Sequence, residues 1–415
     1  MYYIFMLIKE FIEDIRQQKM RAFLTTVAIT WGTLAVILLM AFGEGISYRM
    51  KESFLNAGDS IIRIYGGQTT LKYKGLPIGR GVNLVKQDAE IIQKSIPEVA
   101  VAVPSYGTWV RLRRGDQIVS TFMEGVQPQF EFLRRFYPSA GGRFLNSMDM
   151  RERRRVVFLG STITRELFGN TDPIGQSIEI NGLPFKVIGI LPKKMQTSMN
   201  NGPDDRRAII PFSTFEAIFG WRNIRMITAK PRTNDESLRA EHEIRRVMSK
   251  KYKFDPKDER ALQIWNMVEF QKIQDKVFLG INIFLGVIGT MSLAIAGVGV
   301  ANIMAVVAKE RTHEIGIKRA VGAKKIHILF QFIFESLLIA FSGGLIGILL
   351  AVGVVKIIWS IPIQPGAMEF LGRPLISGSV IAISVSVLTL IGLFAGLFPA
   401  KKAANVDPIE ALRYE

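Results

Sequence analysis

His313 and Glu314 stand side by side in KERTHEIGIKRAVGAKK, Lys309 to Lys325, an island of charge between two long apolar stretches. A His-Glu pair opens the H-E-x-x-H motif, in which two histidines one helical turn apart hold zinc and the glutamate serves as general base. Position 317, where the second histidine belongs, is Ile317. The sequence has three histidines (His242, His313, His327) and no cysteine, too few ligands for a metal site of ordinary composition. No Ser-His-Asp pattern with a nucleophile elbow is visible. GLPIGRG, Gly75 to Gly81, is glycine-rich but lacks the Lys-Ser/Thr that meets phosphates in a P-loop. Neither catalysis nor nucleotide binding is expected of this chain, so ATP-driven work has to come from another polypeptide.

The island reads instead as a short helix. Glu310, Arg311, Glu314, Lys318 and Arg319 are polar, Ile317, Ala320 and Val321 fall at i, i+3 and i+4, and Gly322 can end it. An apolar stripe beside charge suits docking into a groove on a soluble partner. A plain basic loop that only fixes topology is the alternative reading.

What must position such a helix follows from the distribution of charge. The chain has 415 residues, 48% hydrophobic, with a formal charge of +17. Residues 22–43, 277–308, 336–355 and 374–400 carry no charged side chain. A helix needs roughly 20 apolar residues to cross the hydrocarbon core, so all four runs qualify as transmembrane helices. The first is longer than the roughly 7–15 residues of a signal-peptide core. Lys and Arg concentrate before the first run (Lys9, Arg16, Lys19, Arg21), in the island (Lys309, Arg311, Lys318, Arg319, Lys324, Lys325) and after the last run, and are sparse in residues 356–373. The expected topology places both termini and the island in the cytoplasm and exports residues 44–276.

The fold class is therefore a membrane protein, four transmembrane helices with a large α+β two-lobed extracytoplasmic domain between the first and second. Residues 1–21 read as a cytoplasmic amphipathic helix, with Ile4, Phe5, Leu7, Ile8, Phe11, Ile12 and Ile15 on one side. Transmembrane helix 1 covers 22–43, and the stalk with transmembrane helix 2 covers 277–308. The coupling loop is 309–325, transmembrane helix 3 is 326–355, the short outer loop 356–373, transmembrane helix 4 is 374–400 and the tail 401–415. The second run is too long for one crossing, reaching about 48 Å against a core of about 30 Å. It is expected to continue out of the bilayer as a stalk.

Within the exported domain, DSIIRIYGG, VAVAVPS and TWVRLRRGDQIVSTFMEGV read as strands, the last turning near Gly115-Asp116, and residues 87–95 as a helix. VVFLGSTITRELFG suggests strand then helix, and QSIEINGLPFKVIGIL a hairpin turning at Asn181-Gly182. MITAKP, a charged helix from Asp235 to about Lys251, and ALQIWNM complete a strand-helix-strand stretch. That stretch is expected to rejoin the first lobe, with a second lobe inserted at about 135–222. Without cysteine, this domain must be stabilised by its core alone.

Small residues recur in the spans, namely Gly297, Ala301 and Ala305, Gly343 and Gly347, and Gly392 and Gly396. Such spacing lets helix backbones approach closely in lipid, within one chain or between subunits. Glu335, at the start of the third span, can bond within the bundle or reach interfacial water. The basic exported surface reads by default as merely solvated, and the acidic partners its topology favours are anionic headgroups, envelope polymers or protein rather than nucleic acid.

ERTHEIGIKRAVGAKKIHILFQFIFESLLIAFSGGLIGILLA and FPAKKAANVDPIEALRYE resemble the loop, third span and tail of MacB/FtsX-type ABC transporter permeases. LTTVAITWGTLAVILLMAFGEG is similar to their first span, and LFGNTDPIGQSIEINGLPFKVIGIL to a motif of their exported domain. The resemblance implies that the island is the element seated on an ATPase, through Glu310, Arg311, Glu314, Ile315, Gly316, Lys318 and Gly322. It places the tail residues Pro399, Pro408, Glu410 and Leu412 at the same cytoplasmic face.

The partners it implies are a separate ABC ATPase holding ATP and Mg, a second permease copy in a homo- or heterodimer, and a periplasmic-adaptor-type protein. The chain itself would hold no cofactor and would lie in the bacterial cytoplasmic (inner) membrane. MacB-like efflux of a peptide, antibiotic or metabolite is the expected function. Lipoprotein release by a Lol-type permease, and FtsX-like regulation of cell-wall hydrolases, are the alternatives.

Overall fold

A computed structural model describes residues 19–58, 60–194, 202–362 and 372–405. The amphipathic segment before Lys19 and the tail residues Pro408, Glu410 and Leu412 lie outside the described residues. The first apolar run is helix α1, Lys19–Ala57.

The domain between the first two runs is built, in chain order, from β1 (Ile62–Gly66), α2 (Lys86–Ser95), β2 (Val99–Arg114), β3 (Gln117–Val126), α3 (Phe130–Arg134), α4 (Ser147–Arg151) and β4 (Val156–Gly160). It continues with α5 (Ser161–Phe168), β5 (Ser177–Ile180), β6 (Leu183–Leu191), β7 (Arg207–Pro211), α6 (Phe212–Phe219), β8 (Met226–Pro231), α7 (Ser237–Tyr252) and β9 (Leu262–Asn266). Asn181 and Gly182 both have φ > 0, as a two-residue hairpin turn requires, and join β5 to β6.

The strands run in the order β3-β7-β4-β6-β5-β2-β8-β1-β9, and an additional β2–β3 pairing closes the first six into a ring. This redraws the lobe boundary expected near residue 135. β2 is 16 residues long. Its first half, Val99–Ser105, pairs with β8 in the open sheet, whereas Tyr106–Arg114 pairs with β3 in the ring. One strand thus serves both lobes, and all of β3 belongs to the second. α7 buries Ala240, Ile244 and Met248 at helical spacing against the open sheet, where they share a core with Ile62, Ile64 and Ile227.

A second core on this domain holds charge. Asp204 is fully buried and accepts from Arg134 at 2.8 and 3.0 Å, while Lys194 stands 3.0 Å and Arg207 Nε 3.2 Å away. Arg207 also pairs with buried Glu124. Burial pushes the Asp204 carboxyl up, but Arg134, Arg207 and Lys194 outweigh it and hold the group well below the usual carboxylate range. Burial pulls the Lys194 ammonium down to about 8, against the opposing pull of Asp204. Lys194 donates to the Asn56 carbonyl at the end of α1 at 2.9 Å and to the Arg134 carbonyl at 2.8 Å, so it holds a helix C-terminus as well as the carboxylate.

GLPIGRG lies in the surface loop between β1 and α2, whose base is tied by Asp258 accepting from Thr70 N and Leu71 N at 2.6 and 2.9 Å. At that base, a Cβ on Gly67 would lie 2.0 Å from the Arg260 carbonyl oxygen. Gly67→Ala is therefore expected to cost about 1–3 kcal/mol, as overpacking does. Gly81→Ala, whose Cβ would first meet Asn83 at 3.7 Å, is the matched control. Thermal unfolding of the two full-length variants checks the difference.

The remaining elements are α8 (Met267–Glu310), α9 (Thr312–Ala320), α10 (Lys325–Ser360) and α11 (Gly378–Ala404). α1, α8, α10 and α11 are each long and apolar enough to cross a membrane. α8 is one helix of 44 residues, about 66 Å long against a hydrocarbon core of about 30 Å. It begins ten residues before the apolar run, because the Asn266 side chain accepts from Val268 N and Glu269 N and caps it.

The glycines of the spans pack within the chain. A Cβ on Gly343 or Gly347 would meet α1, at Ile29 and at the Thr30 carbonyl. On Gly392 or Gly396 it would meet Ala340 or Ser336 of α10, and on Gly297 it would meet Ile391 of α11. Ala301 is partly buried against the same core. Thr30 donates to the Gly343 carbonyl and Ser336 to the Gly392 carbonyl, both at 3.0 Å, which is the polar bonding that close helix approach allows in lipid.

Candidate functional site

The charged island folds as α9, hung between two breaks. α8 stops at Glu310, Arg311 leaves the helical conformation with φ −93° and ψ 13°, and α9 starts at Thr312. At the other end Gly322 takes φ 101°, a left-handed conformation that favours glycine and stops the helix. Glu314 lies in the first turn of α9 and Lys318 and Arg319 in the last, each sign at the helix end whose dipole it complements.

The helix has two unlike apolar faces. Ile315 and Gly316 are buried, Ile315 in a core with Ala308, Ile328, Phe332, Ala400 and Ala403. Ile317 is 45% exposed and Val321 84%, with Ala320 and Glu314 also at the surface. Of the residues that the resemblance assigned to an ATPase contact, Ile315 and Gly316 are buried against the chain's own spans. They lie about 100–200° around the helix from Ile317, on the side that faces the spans. Pro399 is buried within α11 and is likewise a packing residue.

Four polar side chains tie α9 to α10. Arg311 donates to Glu335 at 3.2 and 3.4 Å, Gln331 donates to Glu335 at 3.1 Å, and Lys318 reaches Gln331 at 3.4 Å. Glu335 is 4% exposed, so of the two settings open to it the carboxylate takes the one inside the bundle. Glu310 bonds Arg21 at 2.7 Å, but both are over two-fifths exposed, and such a pair contributes about 0–1 kcal/mol. Lys325, at the start of α10, donates to Asn405 just past α11 at 2.9 Å.

Sequence reasoning missed the start of α8, although Asn266 with Glu269 three residues on has the form of a capping box. It also missed the Arg134-Lys194-Asp204-Arg207 cluster, for which no local pattern exists. Among the described residues, no group of three or more His, Asp or Glu is placed to hold a metal ion.

A family model described as the MacB-like periplasmic core domain matches residues 22–247, and one described as the FtsX-like permease C-terminal matches residues 286–408. The chain is 33% identical over 409 residues to the macrolide export ATP-binding/permease protein MacB of Chlorobaculum tepidum, covering 97% of this chain and 60% of that protein. It is 29% identical over 401 residues to the pyoverdine export ATP-binding/permease protein PvdT of Pseudomonas savastanoi pv. phaseolicola, covering 96% of this chain and 58% of that one. The chain thus spans about 60% of the length of the curated relatives it matches. Among solved structures it is similar to the periplasmic region of MacB from Actinobacillus actinomycetemcomitans, at 19% identity and a TM-score of 0.43, over 54% of this chain and 96% of that one.

Proposed function

The chain belongs to the MacB-like, FtsX-like family of ABC transporter permeases, and from that premise we propose that it is the membrane subunit of an exporter, gripped by an ABC ATPase at α9. The observation that carries this reading is the two-sided helix. Ile315 and Gly316 fasten α9 to the spans, while Ile317, Ala320, Val321 and Glu314 face outward as an apolar stripe beside a charge. In this reading α9 and both ends of the chain lie in the cytoplasm, as the Lys and Arg distribution supports. ATP and Mg are held by the ATPase, and the 415 residues themselves catalyse nothing.

α8 runs unbroken from the Arg311 joint to the Asn266 cap that ends β9, so a displacement of α9 is carried to the exported domain without substrate passing between the spans. Two copies of the permease work together, with an adaptor on the exported side. The relatives named for macrolide and pyoverdine export support a peptide, antibiotic or metabolite as cargo.

Purification of the tagged chain from its host in mild detergent, with mass spectrometry of what accompanies it, tests this reading. An ABC ATPase with an adaptor-type protein is the expected result. An ATPase accompanied by a lipoprotein carrier or a wall hydrolase would overturn the export assignment, and no ATPase at all would overturn the docking role of α9.

A further inference from the structure

We infer that Arg311 and Glu335 are positioning residues whose ion pair makes α9 and α10 a single lever, so that motion received by the outer face of α9 enters α10 instead of being absorbed at the joints. The inference rests on the proposed role of α9. Both connections of this nine-residue helix are short and non-helical: the single residue Arg311 on one side, and the stretch from Val321 to Lys324 containing Gly322 on the other. A short helix between two such joints would swivel under load unless something else held it.

The structure supplies that hold along the whole length of α9. Arg311, the residue just before α9, and Lys318 in its last turn reach Glu335 and Gln331, which are four residues apart on one face of α10. The Gln331 amide donates to Glu335 and its oxygen accepts from Lys318, so the four side chains form one connected chain. Ile315 lies between the two contact points, in the same core as Ile328 and Phe332 of α10. Glu335 and Gln331 are both buried, and a buried carboxylate holds a guanidinium far more firmly than the exposed Glu310–Arg21 pair does. α11 joins the same lever through Gly392 and Gly396, seated against Ala340 and Ser336.

The native chain has no cysteine, so spin labels can be placed at will. Nitroxides at Ala320→Cys and Ser342→Cys, both exposed positions, report the α9–α10 distance in the full chain in lipid nanodiscs by pulsed dipolar spectroscopy, with no ATPase present. A single narrow distance is expected for the native pair, and its loss for Glu335→Gln, which keeps side-chain size, and for Glu335→Ala. The reversal Arg311→Glu with Glu335→Arg is expected to restore the narrow distance, which a general loss of stability would not do. A distance that stays narrow in Glu335→Gln, or a reversal that fails to recover it, would overturn the lever. Because the ATPase takes no part, such a failure is distinct from a failure of docking.

Discussion

Replacing Asp204 with alanine is expected to destabilise the domain between the first two spans by about 3–5 kcal/mol, the effect of breaking a buried ion pair by removing one partner. Arg134, Lys194 and Arg207 all stand within 3.2 Å of this carboxylate, and Arg134 and Arg207 are themselves almost wholly buried. Without it the two arginines keep their charge in a low dielectric, facing the rings of Phe130, Phe136 and Phe122. Asp204→Asn, which preserves size, should recover little of the loss. Denaturant unfolding of the full chain, followed by the fluorescence of Trp109, Trp221 and Trp265, measures it.

The same pairing fixes a pH dependence. The folded carboxyl titrates well below its ordinary value, so the stability it contributes is complete above about pH 4 and is lost as the pH falls toward the folded value. The Asp204→Asn chain should lack that part of the acid slope, and identical slopes in the two chains would contradict the assignment.

The second large effect concerns the outer face of α9. Ile317→Glu together with Val321→Glu is expected to weaken ATPase binding by at least about thirtyfold, because truncating or charging one buried anchor of an interface removes about 2 kcal/mol or more. Both side chains are exposed in the chain alone, so its own stability should change by no more than about 0.5 kcal/mol. Glu314→Lys perturbs the same face. Gly316→Trp is a poorer probe, since Gly316 is buried and the indole would unseat the helix before any ATPase met it. Titration of the purified ATPase against nanodisc-embedded variants reads the difference.

The sequence carried the architecture further than it carried the contacts. The four spans were legible because charge is excluded from the bilayer, and the turns at Gly115-Asp116 and Asn181-Gly182 because each connects strands directly. Helix ends were less legible. Charge marks where the bilayer stops and not where a helix stops, so α8 continues through Lys276, Asp275, Lys272 and Glu269 to its cap at Asn266. The ring of the second lobe escaped notice because β3 pairs in parallel with β7, some 85 residues on, and no local pattern encodes that contact.

For α9, periodicity established a helix but not its orientation. Ile315 and Ile317 are chemically alike and about 200° apart around the axis, and only the packing of the spans decides which turns inward. The span glycines likewise announced close approach without saying what approaches; the answer lies in Ile29, Thr30, Ser336 and Ala340 of the same chain.

The measurement that tests the central claim most directly is the rate of ATP hydrolysis by the partner ATPase with the nanodisc-embedded chain, native against Ile317→Glu with Val321→Glu. Stimulation by the native chain that disappears in the variant is the predicted result. Equal stimulation by both, or none by the native chain, would contradict the assignment of α9 as the grip through which ATP drives this permease.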